Sequence, residues 1–233
     1  MVDAGLLTEL CERYDITFKN PALLDEAFTH SSYANEHQNL GIHDNERLEF
    51  LGDAVLELTV SDYLYNKYPD LPEGKLTRMR AEIVQTRSFS AFAKEANFDK
   101  YIKLGRGEEK SGARQRATLL EDLFEAFNGA LYLDQGKAAV VKFLSQTVFP
   151  KIDSGVFLTF MDHKTHLQEY LQQNGAVDIA YNLLDESGAA NQRQFTVAVT
   201  VNGELLGQGS GSSKKSAEQA AAAQALQKLH VAD

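Results

Sequence analysis

Cysteine, tryptophan and proline are scarce or missing: the 233 residues hold one Cys, no Trp and four Pro. A single thiol, Cys11, permits no internal disulfide and no zinc–thiolate cluster, so the composition points to a reducing, cytoplasmic setting. No apolar run is long enough to span a bilayer. The opening residues, MVDAGLLTEL, lack a basic region leading into an apolar stretch, so neither a signal peptide nor a membrane partner is expected. Positive charge is also short, with 23 Lys and Arg against 33 Asp and Glu and a formal net charge of −10. Read globally, this opposes a polyanionic partner, because phosphate binding is driven by basic surfaces. Net charge is a blunt guide, however, since a cluster of acids that holds cations lowers it without excluding a basic surface elsewhere.

What is present suffices for two domains of ordinary size. Residues 1–150 read as all-helical, with apolar residues at three- and four-residue spacing. One stripe is Leu48, Leu51, Val55 and Leu58; another is Leu119, Leu120, Leu123, Phe124, Phe127 and Leu131. KYPDLPEGK (67–75) and LGRGEEKSGARQR (104–116) read as loops, the second carrying Arg106, Lys110, Arg114 and Arg116. The pattern changes near 149–162, which suggests a linker over 151–161 and a second domain over 162–231. There HKTHLQEYLQQNG (163–175) predicts a helix capped by Gly175. Alternation from Val177 to Leu183 and from Phe195 to Val201 predicts two strands, and Asn202-Gly203 a hairpin turn into a third. An alanine-rich helix closes the chain over 212–229, giving the order α-β-β-β-α.

Lys214 and Lys215 follow a serine N-cap at the start of that last helix, where the helix dipole favours acids. They are either two solvated lysines or, with the free backbone N–H groups there, an anion site. Gly207, Gly209 and Gly211 just upstream would let a nucleic-acid backbone come close. The order of elements, with DHKTHLQEYLQ in front and GSGSSKKSAEQAAAAQAL behind, resembles the double-stranded RNA-binding domain. The resemblance implies that Thr165, Gln168 and Glu169 reach ribose 2′-hydroxyls in the minor groove, with Ser213, Lys214 and Lys215 on phosphates. It places Asn191 in the loop position where many members carry a histidine.

The segment NERLEFLGDAV, beginning at Asn45, puts Glu46, Glu49 and Asp53 on one helical stripe. A solvated acidic face accounts for that stripe taken alone. Asp122 and Glu125 in LLEDLFEAF form a second pair, embedded among Leu and Phe with no Lys or Arg on the same helix. Buried carboxylates without partners protonate or require a cation. If the two helices lie side by side, their oxygens suit hard Mg²⁺ rather than zinc.

NERLEFLGDAVLEL, with AFTHSSYANE (27–36), EGKLTRMRAEIV (73–84) and LEDLFEAFNGALYLD (121–134) in the same order, resembles the ribonuclease III family over almost the whole chain. The resemblance implies an all-α endonuclease domain followed by an α+β double-stranded RNA-binding domain. It implies cleavage of both strands of duplex RNA, leaving 5′-phosphate and 3′-hydroxyl ends, in the processing of ribosomal precursors and some messenger or transfer RNA transcripts. Glu49, Asp53, Asp122 and Glu125 would ligate Mg²⁺, for which Mn²⁺ can substitute, with Asp53 and Glu125 also catalytic. Glu46 and Glu73 match further family acids in supporting roles. A homodimer through the endonuclease domain is implied, with Phe50 as an anchor and the 104–116 loop lining the groove. The alternatives are a catalytically silent double-stranded RNA-binding regulator and a metal-dependent phosphohydrolase acting on another substrate.

Overall fold

The computed structural model describes residues 2–155, 157, 163–172, 177–188 and 193–229. The chain divides into two compact units, Met1–Phe160 and Met161–Asp233. The first is helical: α1 (Ala4–Tyr14), α2 (Pro21–Ala27), α3 (Ser31–Glu36), α4 (Glu46–Lys67), α5 (Glu73–Ile83), α6 (Thr86–Glu95), α7 (Arg106–Lys110), α8 (Ala117–Gln135), α9 (Lys137–Thr147) and α10 (Phe149–Asp153). The second contains α11 (His163–Gln172), β1 (Ile179–Ser187), β2 (Gln194–Val201), β3 (Glu204–Gly211) and α12 (Lys214–Lys228). Asn191 and Gly175 lie outside the described residues.

Helix α8 is the axis of the first unit. A helix that is apolar all round must be buried all round, and every residue from Leu123 to Leu131 is buried. Phe89, Phe98, Phe124, Phe127 and Phe143 are almost fully enclosed and meet largely in tilted and edge-on contacts. Helix α4 crosses α8 at backbone contact. A Cβ added to Gly52 would lie 1.8 Å from the Glu125 carbonyl oxygen, and one added to Gly129 would lie 2.2 Å from that of Leu48. Glycine is required at both positions because nothing larger fits, and the closeness of the crossing brings the two acidic rows together.

Three local expectations change. Helix α4 runs on to Lys67, more than two turns beyond the last residue of the stripe, Leu58. Leu58 is 61 % exposed rather than in the core with Leu48 and Val55, because at 100° per residue it falls on the flank of the buried stripe. The 104–116 segment is not all loop, since α7 forms within it.

In the second unit the sheet order is β1-β2-β3, antiparallel throughout. Its core is Leu167, Val199, Ala221, Ala222, Ala225 and Leu226. Gly207 and Gly209 let β3 lie directly on α12, where an added Cβ would strike the backbone of Ala221 at 2.5 and 2.2 Å, and at Gly211 it would strike Ser216. These glycines therefore serve helix–sheet packing, not the approach of a nucleic-acid backbone.

Candidate active site

Helix α4 presents Glu46, Glu49 and Asp53; α8 presents Asp122 and Glu125. Glu46 and Asp53 are exposed, Glu49 and Asp122 half-buried, and Glu125 is only 8 % exposed. Burial first, then the charges of Asp53, Glu121, Glu49 and Asp122, push the Glu125 carboxyl up to about 8. Burial and then the charges of Asp122, Glu46, Glu121 and Asp53 push Glu49 up to about 7. Asp122 is raised in the same way, by burial and then by Glu121, against a favourable contribution from His30. Such shifts mean that the acids repel one another in a partly dry place. Neither Glu49 nor Glu125 makes an ion pair or side-chain hydrogen bond among the described residues.

Sequence reasoning missed two members of this group. Glu121 raises all three perturbed acids; its adjacency to Asp122 was the available signal. His30 comes from a distant segment, and nothing in its local sequence pattern pointed to the acids. Glu73, by contrast, is exposed at the first position of α5 and accepts a hydrogen bond from the Thr77 hydroxyl at 2.7 Å. It lines an open groove of about 430 Å³ with Leu58, Tyr65, Leu76 and Arg80, roughly one to three turns beyond the acids along α4. The structure brings Glu49, Asp53, Asp122 and Glu125 together with Glu121, and leaves Glu73 at the edge.

The arginines expected to line an RNA groove are largely committed elsewhere. Arg114 makes two bonds to Glu109 (2.5 and 3.0 Å) and donates to the carbonyls of Asp99 and Ile102, while Arg116 pairs with Glu108 at 2.9 Å. Arg106 and Lys110 are exposed, with no ion pair among the described residues.

In the second unit Ser213 caps α12, its hydroxyl accepting from the Ser216 N–H at 3.1 Å. Lys214 and Lys215 are exposed and without ion pairs among the described residues. Lys215 shares an open cleft of about 720 Å³ with Thr165 and Gln168; Glu169 is exposed on the same helix. Lys164, which the pattern reading did not single out, lines the same cleft, paired with Glu218 at 2.7 Å and lying 4.3 Å from the centre of the Tyr181 ring.

An acid cluster in a helical unit, in a chain that also carries an α-β-β-β-α module, fits an endoribonuclease directed at double-stranded RNA, and the relatives of the chain are of that class. A family model described as Ribonuclease-III-like matches residues 20–152, and one for the double-stranded RNA binding motif matches residues 163–229. Ribonuclease 3 of Latilactobacillus sakei subsp. sakei (strain 23K) is 66 % identical over 228 residues, covering 98 % of this chain and 99 % of the relative. Ribonuclease 3 of Enterococcus faecalis (strain ATCC 700802 / V583) is 61 % identical with the same coverage. Among solved structures, the nuclease domain of ribonuclease III from Campylobacter jejuni aligns with a TM-score of 0.55 at 35 % identity. It covers 60 % of this chain and 94 % of that one, and was described for structural flexibility in a region involved in dimer formation. The chain belongs to the ribonuclease III family.

Proposed function

We propose that the protein hydrolyses both strands of duplex RNA with a divalent cation, Mg²⁺ or in its place Mn²⁺, held by Glu49, Asp53, Asp122 and Glu125, leaving 5′-phosphate and 3′-hydroxyl ends. The observation that carries this reading is the elevated Glu49 and Glu125 carboxyls at the α4–α8 crossing, without a protein cation to relieve them. An all-oxygen, anionic donor set suits a hard divalent ion. Among the described residues no three candidate ligands already stand close enough to grip one ion, so binding calls for rotation of side chains whose Cα positions the crossing fixes. When bound, the ion lowers the pKa of an attacking water and offsets charge on the phosphate oxygens. Asp53 and Glu125 orient that water, and the exposed Glu46 and Glu73 support the bound RNA and the solvent around the site.

The second unit holds the duplex. Thr165, Gln168 and Glu169 meet the minor groove, and Lys214 and Lys215 bind phosphates together with the N–H groups at the start of α12; Asn191 takes the loop position facing the next groove. One acid cluster serves one strand, so cutting both calls for two copies. Phe50 (81 % exposed), Leu58 and Tyr65 (73 %) share one face of α4. Such a seam, with a projecting ring at one end and a groove at the other, is what a self-complementary two-fold contact needs. The setting is cytoplasmic, and the substrates are ribosomal precursors and other structured transcripts.

The test is cleavage of a defined RNA hairpin with and without Mg²⁺, with products mapped on both strands and single-stranded RNA and duplex DNA as controls. Metal-dependent cuts on both strands of duplex RNA alone are expected. Binding without cutting would make the protein a catalytically silent regulator, and cutting of single strands would give it another substrate.

A further inference from the structure

We propose that Lys164 is a positioning residue for duplex binding: its ion pair with Glu218 sets the spacing between the minor-groove face of α11 and the phosphate-binding start of α12. The proposal rests on the reading of those two faces as the RNA surface. The Lys164 ammonium lies 2.7 Å from Glu218 Oε2 and 4.3 Å from the centre of the Tyr181 ring, so one side chain joins α11, α12 and β1. The Lys164 N–H, second in its helix and without an intrahelical acceptor, donates to the Gln219 side-chain oxygen at 3.4 Å. Gln168 stands four residues after Lys164, and Lys215 three before Glu218. On each helix, therefore, the ion pair and a proposed RNA contact share one side. All four residues line the same open cleft.

Apolar packing alone does little to fix that spacing. Leu167 is the one fully buried side chain of α11 among the described residues, and the α12 part of its core is Ala221, Ala222, Ala225 and Leu226. A single knob against mostly small residues is a pivot, and a second fixed point is needed to stop the helix turning about it. The Lys164 and Glu218 side chains, 33 % and 28 % exposed, supply that point. A half-sheltered pair is screened less than a surface one, and polar contacts between packed elements are suited to fixing register. The pair also neutralises Lys164, in contrast to Lys214 and Lys215, which are exposed and without ion pairs among the described residues. The two roles open to Lys164 make opposite predictions for Glu218. If Lys164 bound phosphate, removing Glu218 would free a cation and tighten binding; if the pair positions the helices, removing either partner weakens it.

Glu218→Gln and Lys164→Met, each close in shape to the original, break the pair from either side, and Lys164→Arg keeps it. Binding is measured with the full chain in a chelator, on a duplex RNA and on its 2′-O-methyl counterpart. The latter keeps the A form and the phosphates but removes the hydroxyl donors. Glu218→Gln and Lys164→Met should each bind the RNA duplex about 10-fold more weakly, the effect of losing a hydrogen bond or two to ribose, with an unchanged log Kd against log [salt] slope. The methylated duplex, which wild type binds less tightly, should be bound almost as before. The double variant should lose no more than either single one, and Lys164→Arg should stay within a few-fold of wild type. Tighter binding by Glu218→Gln, or a slope reduced by about one in Lys164→Met, would make Lys164 a phosphate contact and overturn the proposal. Unchanged RNA binding in both variants overturns it too, as do additive losses in the double variant. An equal loss on both duplexes also overturns it, since that marks a general loosening of the fold. Equal wild-type affinity for the two duplexes would instead break the reading of α11 as a minor-groove face.

Discussion

At the scale of the residue, the energetic cost of the site falls on Glu125 and Glu49. Both carboxyls are raised, to about 8 and about 7, against an ordinary value of 4.5. A raised folded-state pKa means that the native protein holds protons the unfolded chain has already released. Their contribution is complete below about pH 4.5 and is lost as pH rises through about 7 to 8. In a chelator, stability should therefore fall across that window, and Glu125→Gln should flatten the fall. Urea denaturation midpoints at a series of pH values check this; an unchanged pH slope in the variant would mean that Glu125 is not held protonated in the fold. The acids themselves were legible, because their three- and four-residue spacing survives any packing of the helix. Glu121 was legible too, beside Asp122 on the same helix, whereas His30 was not, because it nears the acids only when segments distant in sequence meet.

At the scale of the element, the α4–α8 crossing sets the geometry of the site. Gly52 and Gly129 leave no room for a side chain, so Gly52→Ala should force the helices apart. About 1–3 kcal/mol of stability should be lost through overpacking, and cleavage should fall by about 100-fold, since displacing reacting groups by an ångström has that cost. Comparing denaturation with kcat measures both; a variant with native stability would show that the backbones are not in contact. Helix α12 carries a separate expectation. With Lys214 and Lys215 each on one phosphate, replacing both by alanine should weaken duplex binding and reduce the log Kd against log [salt] slope by about two. An unchanged slope would remove both lysines from the phosphate contacts.

Pattern reading succeeded for the type of element: the apolar spacing over 119–131 marked helix α8 and the alternation over 195–201 marked strand β2. It failed where tertiary pairing decides. The sequence of 104–116 shows Arg114 and Arg116, but not that Glu109 and Glu108 neutralise them. Leu58 has helical spacing and still faces outward, because periodicity ranks positions around a helix without saying how wide the covered stripe is. Gly207 and Gly209 read as room for a ligand and proved to be room for α12, since a missing Cβ does not say what fills its place.

At the scale of the whole molecule, a net charge of −10 does not describe every surface. Acids gather at the α4–α8 crossing, while α12 opens on Lys214 and Lys215, exposed and without ion pairs among the described residues, so an acidic protein still presents a local basic surface. If one acid cluster cuts one strand, as proposed, a duplex calls for two copies. Phe50→Glu should shift sedimentation toward monomer and turn double-strand cuts into little or no product, while RNA binding by the second unit persists. A variant that remains dimeric would place the interface elsewhere.

The most direct measurement of the central claim compares wild type and Glu125→Gln on one hairpin RNA, following binding without metal and cleavage with Mg²⁺. The account predicts equal binding, with cleavage by the variant lost by several orders of magnitude. A variant that cuts at near the wild-type rate would contradict it.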